Sequence, residues 1–151
     1  PLLGVREGPR TVCERMLTEN DIRRGLGRRE PPDGVALADH PLDRHGEGGG
    51  CPELAAPYGI PYGCLIPKGF RNLLVASRAA GFSAIAASST RLSRTVMQLG
   101  QAAGTAVALA REMAAELPAV PPDRLRAALQ TQHVQLTWPL PTELETYLNK
   151  E

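Results

Sequence analysis

The sequence predicts an α+β chain, and three of its runs carry that reading. Leu92, Val96, Leu99, Ala103, Val107 and Ala110 recur at helical spacing, which predicts a long helix over residues 92–116. Leu73, Leu74, Val75 and Ala76 form an unbroken apolar run between Asn72 and Ser77, the pattern of a strand buried on both faces. Val35, Ala36, Leu37 and Ala38 form a second short run of the same kind.

Taken in order, the first element is a short helix opened by Thr18, with Asp21 placed to reach back as a variant capping box. Gly25, Gly27, Pro31 and Pro32 stop it. After the strand at 35–38, the stretch to Pro57 includes Gly48, Gly49 and Gly50 and has turn composition. It is compatible with a linker between domains or with an excursion inside one. Residues 58–67 mix apolar and aromatic side chains with Pro61 and Pro67, which cannot donate to a central ladder, so short extended pieces are expected. The strand at 73–76 then leads through a polar loop, with Ser88, Ser89, Thr90 and Arg91, into the long helix. Gly100 and Gly104 sit one turn apart in that helix. Each costs about 1 kcal/mol relative to alanine, a cost that close approach of another backbone would offset. Leu117 and Pro118 close the helix. A second helix is expected from about Pro121 to Gln132, and a short helical segment from Thr142, beyond Pro139 and Pro141. There is no internal repeat.

Composition excludes several classes of function. The 151 residues carry 17 basic and 16 acidic side chains, a formal net charge of +1. That gives no electrostatic case for binding nucleic acid or an acidic membrane surface. Arg23, Arg24, Arg28 and Arg29 cluster without aromatic neighbours and read as a solvated helix end. The three cysteines, Cys13, Cys51 and Cys64, lack C-x-x-C spacing, so neither a disulfide framework nor a zinc site is indicated, and a reducing cytoplasm is expected. The start has no signal-peptide pattern and no initiator methionine, so the chain is expected to begin in mid-protein. The uncharged stretch 95–110 is shorter than the roughly 20 apolar residues of a spanning helix, and a soluble protein is expected.

The chemistry concentrates where the apolar run, the polar loop and the long helix follow one another. A helix start presents N–H groups without intrahelical acceptors and the positive end of its dipole, so Ser93, Arg94 and Thr95 mark a place for a negatively polarised atom. Arg91 and Arg94 offer planar donor forks to a carboxylate or a cofactor oxygen, or pair with surface acids. His40 and His45, beside Asp39 and Asp43, read as a polar loop, as a proton relay or as metal ligands. Arg6 and Arg10 near Glu7 form either an ion-pair set or a polar site. Cys64 reads as a small buried hydrophobe. Tyr58 and Tyr62 either line a pocket or pack.

Several of these motifs together resemble the FAD-dependent oxidoreductase family, within the glutathione-reductase-like and fumarate-reductase-like flavoproteins. Gly4-Val5-Arg6-Glu7 with Arg10, then Leu17-Thr18-Glu19-Asn20-Asp21, is similar to the family's G-V-R-E…R…L-T-x-x-D stretch. Pro41-Leu42-Asp43-Arg44-His45 resembles its P-x-D-x-H segment, and Tyr58-Gly59-Ile60-Pro61-Tyr62 its Y-x-I-P-Y. Asn72 to Arg78, Ser88 to Arg91 and Leu99 to Ala106 resemble its last segment. The matches follow the family's order from Gly4 to about Ala110. There are two departures from the pattern: Ser77 stands where the family usually has glycine, and Gly8-Pro9 replaces residues that are usually polar or basic. The G-x-G-x-x-G that holds the ADP half of FAD between a strand and a helix is absent from the sequence.

The resemblance implies the C-terminal part of a two-domain, Rossmann-like FAD-binding protein. Residues 1–70 would belong to the substrate domain, 71–117 would supply the last strand and long helix of the FAD domain, and 118–151 would form a helical extension. It implies FAD as cofactor, with Ser77 and Arg78 at the ribityl chain and Ser93, Arg94 and Thr95 at the pyrimidine edge. Arg91 and His45 become the catalytic candidates, and no metal is implied. The implied reaction is hydride transfer between the flavin and an organic small molecule. The partner would be the missing N-terminal FAD-binding segment, or self-association would take its place. A non-catalytic interaction module that has lost the cofactor is the alternative.

Overall fold

The computed structural model describes residues 8–25, 33–43 and 53–139, together with positions 142 and 146. Within them helices pack around a small antiparallel sheet, an α+β arrangement.

The first helix, α1 (Glu19–Arg24), forms as its capping pattern predicts. The Thr18 hydroxyl accepts from the Asp21 N–H and the Asp21 carboxylate accepts from the Thr18 N–H at 2.9 Å, while Glu19 and Arg23 pair one turn apart at 2.7 Å. Gly25 ends it at φ 58, a conformation glycine adopts without a Cβ penalty.

Strand β1 (Gly34–Ala38) pairs antiparallel with β2 (Tyr58–Pro61), Ala36 opposite Ile60 and Ala38 opposite Tyr58, with an irregularity between Gly34 and Ala36. A lone two-stranded ribbon is marginal in water. Here helices cover it, and every β2 residue is buried. The outer edge of β1 is closed by side chains instead of a third strand. Gln98 accepts from the Leu37 N–H at 3.1 Å and donates to the Leu37 C=O at 3.2 Å, and Arg126 donates to the Gly34 C=O. One side-chain amide thus replaces a ladder partner. A 3₁₀ turn over Tyr62–Leu65 follows β2, and the Tyr62 hydroxyl donates to the Leu117 C=O at 2.8 Å.

Residues 11–17, 63–67 and 79–83 cross closely. The N–H groups of Leu17, Gly81 and Ser83 donate to the C=O groups of Gly81, Cys64 and Leu17, each at 2.8 Å. A Cβ on Gly81 would meet the Arg15 carbonyl oxygen at 2.4 Å, so only glycine fits this crossing.

The expected strand at residues 73–76 does not form. The Val75 N–H reaches the Leu65 C=O at 2.8 Å, but no ladder develops and Leu73 is exposed. No strand among the described residues lies beside it to pair with, and apolar composition alone cannot supply a ladder. The expected polar loop is also corrected, because Ser88, Ser89 and Thr90 lie in helix α2 (Ala84–Thr90). Ser83 caps this helix by accepting from the Ala86 N–H, and Ser88 and Thr90 turn their hydroxyls back onto the Ile85 and Ala86 carbonyls.

Helix α3 (Ser93–Glu112) is the predicted long helix, shorter at its C-terminal end. Ala114 adopts φ 49, the Ala115 N–H returns to the Ala110 C=O and the Ala114 N–H to the Arg111 C=O. This is a Schellman termination with alanine in the left-handed position. Helix α4 (Pro122–Thr131) ends in the same way, His133 at φ 61 with the Val134 N–H on the Leu129 C=O. Its Leu125 and Leu129 are fully buried, worth about 1.5–3 kcal/mol each.

The close packing expected of Gly100 and Gly104 is overturned. A Cβ at either position meets nothing within 4 Å. The face of α3 turned to the core carries Thr95, Leu99, Ala102, Ala106 and Ala110, and it is the alanines that bring the helix close to the sheet. The opposite face presents Met97, Gly100, Gly104 and Val107 to solvent, and no charged residue occurs between Arg94 and Arg111. Solvent faces of helices in globular proteins ordinarily carry charge.

No helix of the described residues is long and apolar enough to cross a membrane.

Candidate functional site

The start of α3 is where the sequence placed most of its candidate residues. Leu92 occupies the cap position, so no side chain accepts from the first turn, and no acidic residue lies in that turn. The first intrahelical donor is Val96, bonded to the Leu92 C=O at 3.0 Å. The N–H groups of Ser93, Arg94 and Thr95 therefore have no acceptor within the helix. Ser93 and Arg94 are exposed, whereas Thr95 is buried, so the first two present the polar surface. An uncapped start without acids suits an incoming anion or a developing negative charge.

Both arginines of this region are engaged. Arg91 donates through Nε to the Ser88 C=O at 3.1 Å and through a terminal nitrogen to Asp43 Oδ2 at 3.0 Å. The Asp43 N–H donates to Ser88 Oγ at 3.0 Å, so the end of α2 and the segment after β1 are stitched together. Arg94 pairs with Asp39, at the end of β1. Neither acid could be assigned to its arginine from the sequence, where 48 and 55 residues separate the partners.

Ser77 and Arg78 lie in a turn after residues 73–76. The Ser77 hydroxyl accepts from the Ala79 N–H at 3.1 Å, and Arg78 is exposed. His45 lies outside the described residues, as do Arg6, Glu7, Arg28, Arg29, Cys51 and the glycines at 48–50. His40 contributes its carbonyl, which accepts from the Ser89 hydroxyl; Tyr58 in turn donates to Ser89 Oγ. This buried chain ties β2, α2 and the segment after β1 together. Burial raises the Tyr58 phenol pKa, an effect the Ser89 hydrogen bond partly opposes, so Tyr58 is a fixed neutral donor. Tyr58 and Tyr62 are thus packing residues, both at most 2% exposed. Cys64 is buried as expected, and burial pushes its thiol up to about 12. Among the described residues no group of three or more His, Cys, Asp or Glu could hold a metal.

Among the described residues, two depressions flank α3. One, of about 390 Å³, lies at the end of β1 between the first turns of α3 and the segment leaving α4, with Arg94, Gln98, Gln132 and Trp138 in its lining. The other, of about 700 Å³, is an open groove bounded by Phe70, Arg71, Val107 and Leu117. Sequence reasoning missed the first. Its only signal was the single tryptophan of the chain, Trp138, placed near the end of the sequence.

For the pyrimidine edge of a flavin, the uncapped start of α3 offers donors of the right kind. For an ADP moiety the described residues offer no glycine-rich strand-to-helix turn. The family model for FAD dependent oxidoreductases matches residues 1–129. No curated protein and no solved structure matches the chain.

Proposed function

We propose, from the premise that the chain belongs to the FAD dependent oxidoreductase family, that it supplies the flavin edge of an oxidoreductase whose nucleotide-binding half comes from elsewhere. Bound FAD would supply hydride acceptance and donation. The chain's own part is orientation and electrostatics. The N–H groups of Ser93 and Arg94 would hold the negatively polarised pyrimidine edge, with the α3 dipole aligned to favour it. Thr95, being buried, would fix the position of that turn. Arg91, held by Asp43 and Ser88, would set the cationic flank, and Ser77 and Arg78 would approach the ribityl chain. His45, on the segment following Asp43, is proposed to face an organic small-molecule substrate.

The observation that carries this reading is the uncapped, acid-free start of α3 inside a chain of this family. A second observation supports the need for a completing segment. The exposed face with Met97, Gly100, Gly104 and Val107 lacks charge, and residues 73–76 join no strand ladder. Both suit coverage by the remaining sheet of an FAD domain, with residues 71–117 as its last part, 1–70 on the substrate side and 118–151 as an extension. One observation favours a non-catalytic interaction module instead: both arginines at the site are already ion-paired.

The structure of the FAD-loaded assembly tests the proposal. The flavin pyrimidine edge is expected within hydrogen-bond distance of the Ser93 or Arg94 N–H, or of the Arg91 guanidinium. A flavin bound far from this helix start overturns it.

A further inference from the structure

The cleft at the end of β1 shares Arg94 with the proposed flavin edge, yet its other lining groups have a chemistry of their own. Its volume, about 390 Å³, falls in the range of small-molecule sites. Its polar groups are held in place by bonds within the chain. Gln98 is clamped at both ends by Leu37, which fixes its amide orientation. The Gln132 carbonyl accepts from Gln101 Nε2 at 3.1 Å, so its amine is the end left for a ligand. Gln135 donates to the Thr137 C=O at 3.2 Å, leaving its carbonyl as an acceptor. The cleft therefore presents a donor from Gln132 beside an acceptor from Gln135.

Charge sets the ligand class. Asp39 and Arg94 pair with each other at the cleft, so it offers both a carboxylate and a guanidinium at no net charge. A charged ligand would have to break that pair, whereas a neutral diol can donate to the carboxylate and accept from the guanidinium together. Trp138, 46% exposed, adds a large aromatic side chain to the lining beside these polar groups.

We propose that this cleft binds a neutral polyhydroxylated ring, a monosaccharide or simple glycoside. One ring face lies on the Trp138 indole, and the hydroxyls are divided among Gln132, Gln135 and the Asp39–Arg94 pair. Interspersed donors and acceptors around one aromatic platform match a ring whose edge carries hydroxyls and whose face carries C–H groups. A flat heteroaromatic base would use the platform and leave the diol-matching ion pair unused.

Trp138 is the only tryptophan of the chain, so its emission reports this cleft alone. The experiment titrates the 151-residue protein with methyl β-glucopyranoside, methyl β-galactopyranoside and N-acetylglucosamine, with adenine and glucuronate in parallel. A saturable emission change at millimolar concentration is expected for at least one neutral sugar, with none for adenine. Gln132→Ala should weaken it by about tenfold. His133→Gly provides the control for folding. His133 occupies a left-handed position that glycine favours, so this variant should fold at least as well as the parent while losing the imidazole at the cleft. Weakened sugar binding by Gln132→Ala at an unchanged melting temperature, with binding retained by His133→Gly, supports the site; equal loss in both variants overturns the assigned contacts. Absence of saturation with every neutral sugar, or saturation by adenine or glucuronate alone, overturns it. No flavin enters the assay, so its outcome is separate from that of the flavin-edge reading.

Discussion

Arg91 and Asp43 lie 48 residues apart in the sequence and meet in a 3.0 Å ion pair, each about one-fifth exposed. With Ser88 they fasten the end of α2, immediately before α3, to the segment that follows β1. The start of α3 is therefore positioned by a polar link as well as by the hydrophobic core. A double-mutant cycle with Arg91→Ala and Asp43→Asn should give a coupling of about 1 kcal/mol in urea unfolding. Additive effects of the two substitutions would remove the link.

The glycines divide into two kinds, and substitution should separate them. Gly81→Ala must move the Arg15 carbonyl, which lies 2.4 Å from the new Cβ, and should destabilise by about 3 kcal/mol. Gly104→Ala meets nothing within 4 Å and should stabilise the chain by up to about 1 kcal/mol through helix propensity. Urea midpoints of the two variants should move in opposite directions.

Ala114 holds the left-handed turn that ends α3, at φ 49. Glycine adopts this conformation without the Cβ contact, so Ala114→Gly should stabilise by about 1 kcal/mol. A lower thermal midpoint for this variant would contradict the Schellman account of the helix end.

Alkaline pH should weaken the fold. Burial pushes the Cys64 thiol and the Tyr62 phenol up to about 12, from ordinary values of 9.0 and 10.0. Below pH ~9 folded and unfolded chains hold both protons, and the stabilisation of the neutral groups is complete. As pH rises towards ~12 the unfolded chain releases protons that the fold retains, so stability falls, by up to about 1.4 kcal/mol per pH unit for each group. The urea midpoint should drop across this window, less steeply for Cys64→Ala. A flat profile would contradict the burial argument.

Local signals were legible in the sequence where the chain satisfies them locally. The Thr18 and Asp21 pair, the 3.6-residue period of α3 and the short run that became β1 all depend on near neighbours. Residues 73–76 show the limit, because a strand needs a neighbour and none among the described residues is placed there. Gly100 and Gly104 show another: small residues permit close approach, yet only tertiary structure decides that Ala102, Ala106 and Ala110 face the sheet. The helix end at Ala114 was hidden because the left-handed position carries no glycine. At the site, the arginines were visible but their acids were not, since pairing across such separations leaves no local pattern. The Gln98 clamp on Leu37 was invisible for the same reason.

The central claim is that this chain forms one edge of a flavin site and needs a completing segment to hold the cofactor. Most FAD affinity in such folds rests on a pyrophosphate at a glycine-rich helix start. The edge contacts alone must also overcome the roughly 4 kcal/mol or more lost on association. The most direct measurement combines flavin absorbance and solution mass of the purified chain mixed with FAD. The account predicts little or no bound flavin and self-association through the uncharged face of α3 and residues 73–76, which join no ladder. A yellow, monomeric complex with one FAD per chain would contradict it.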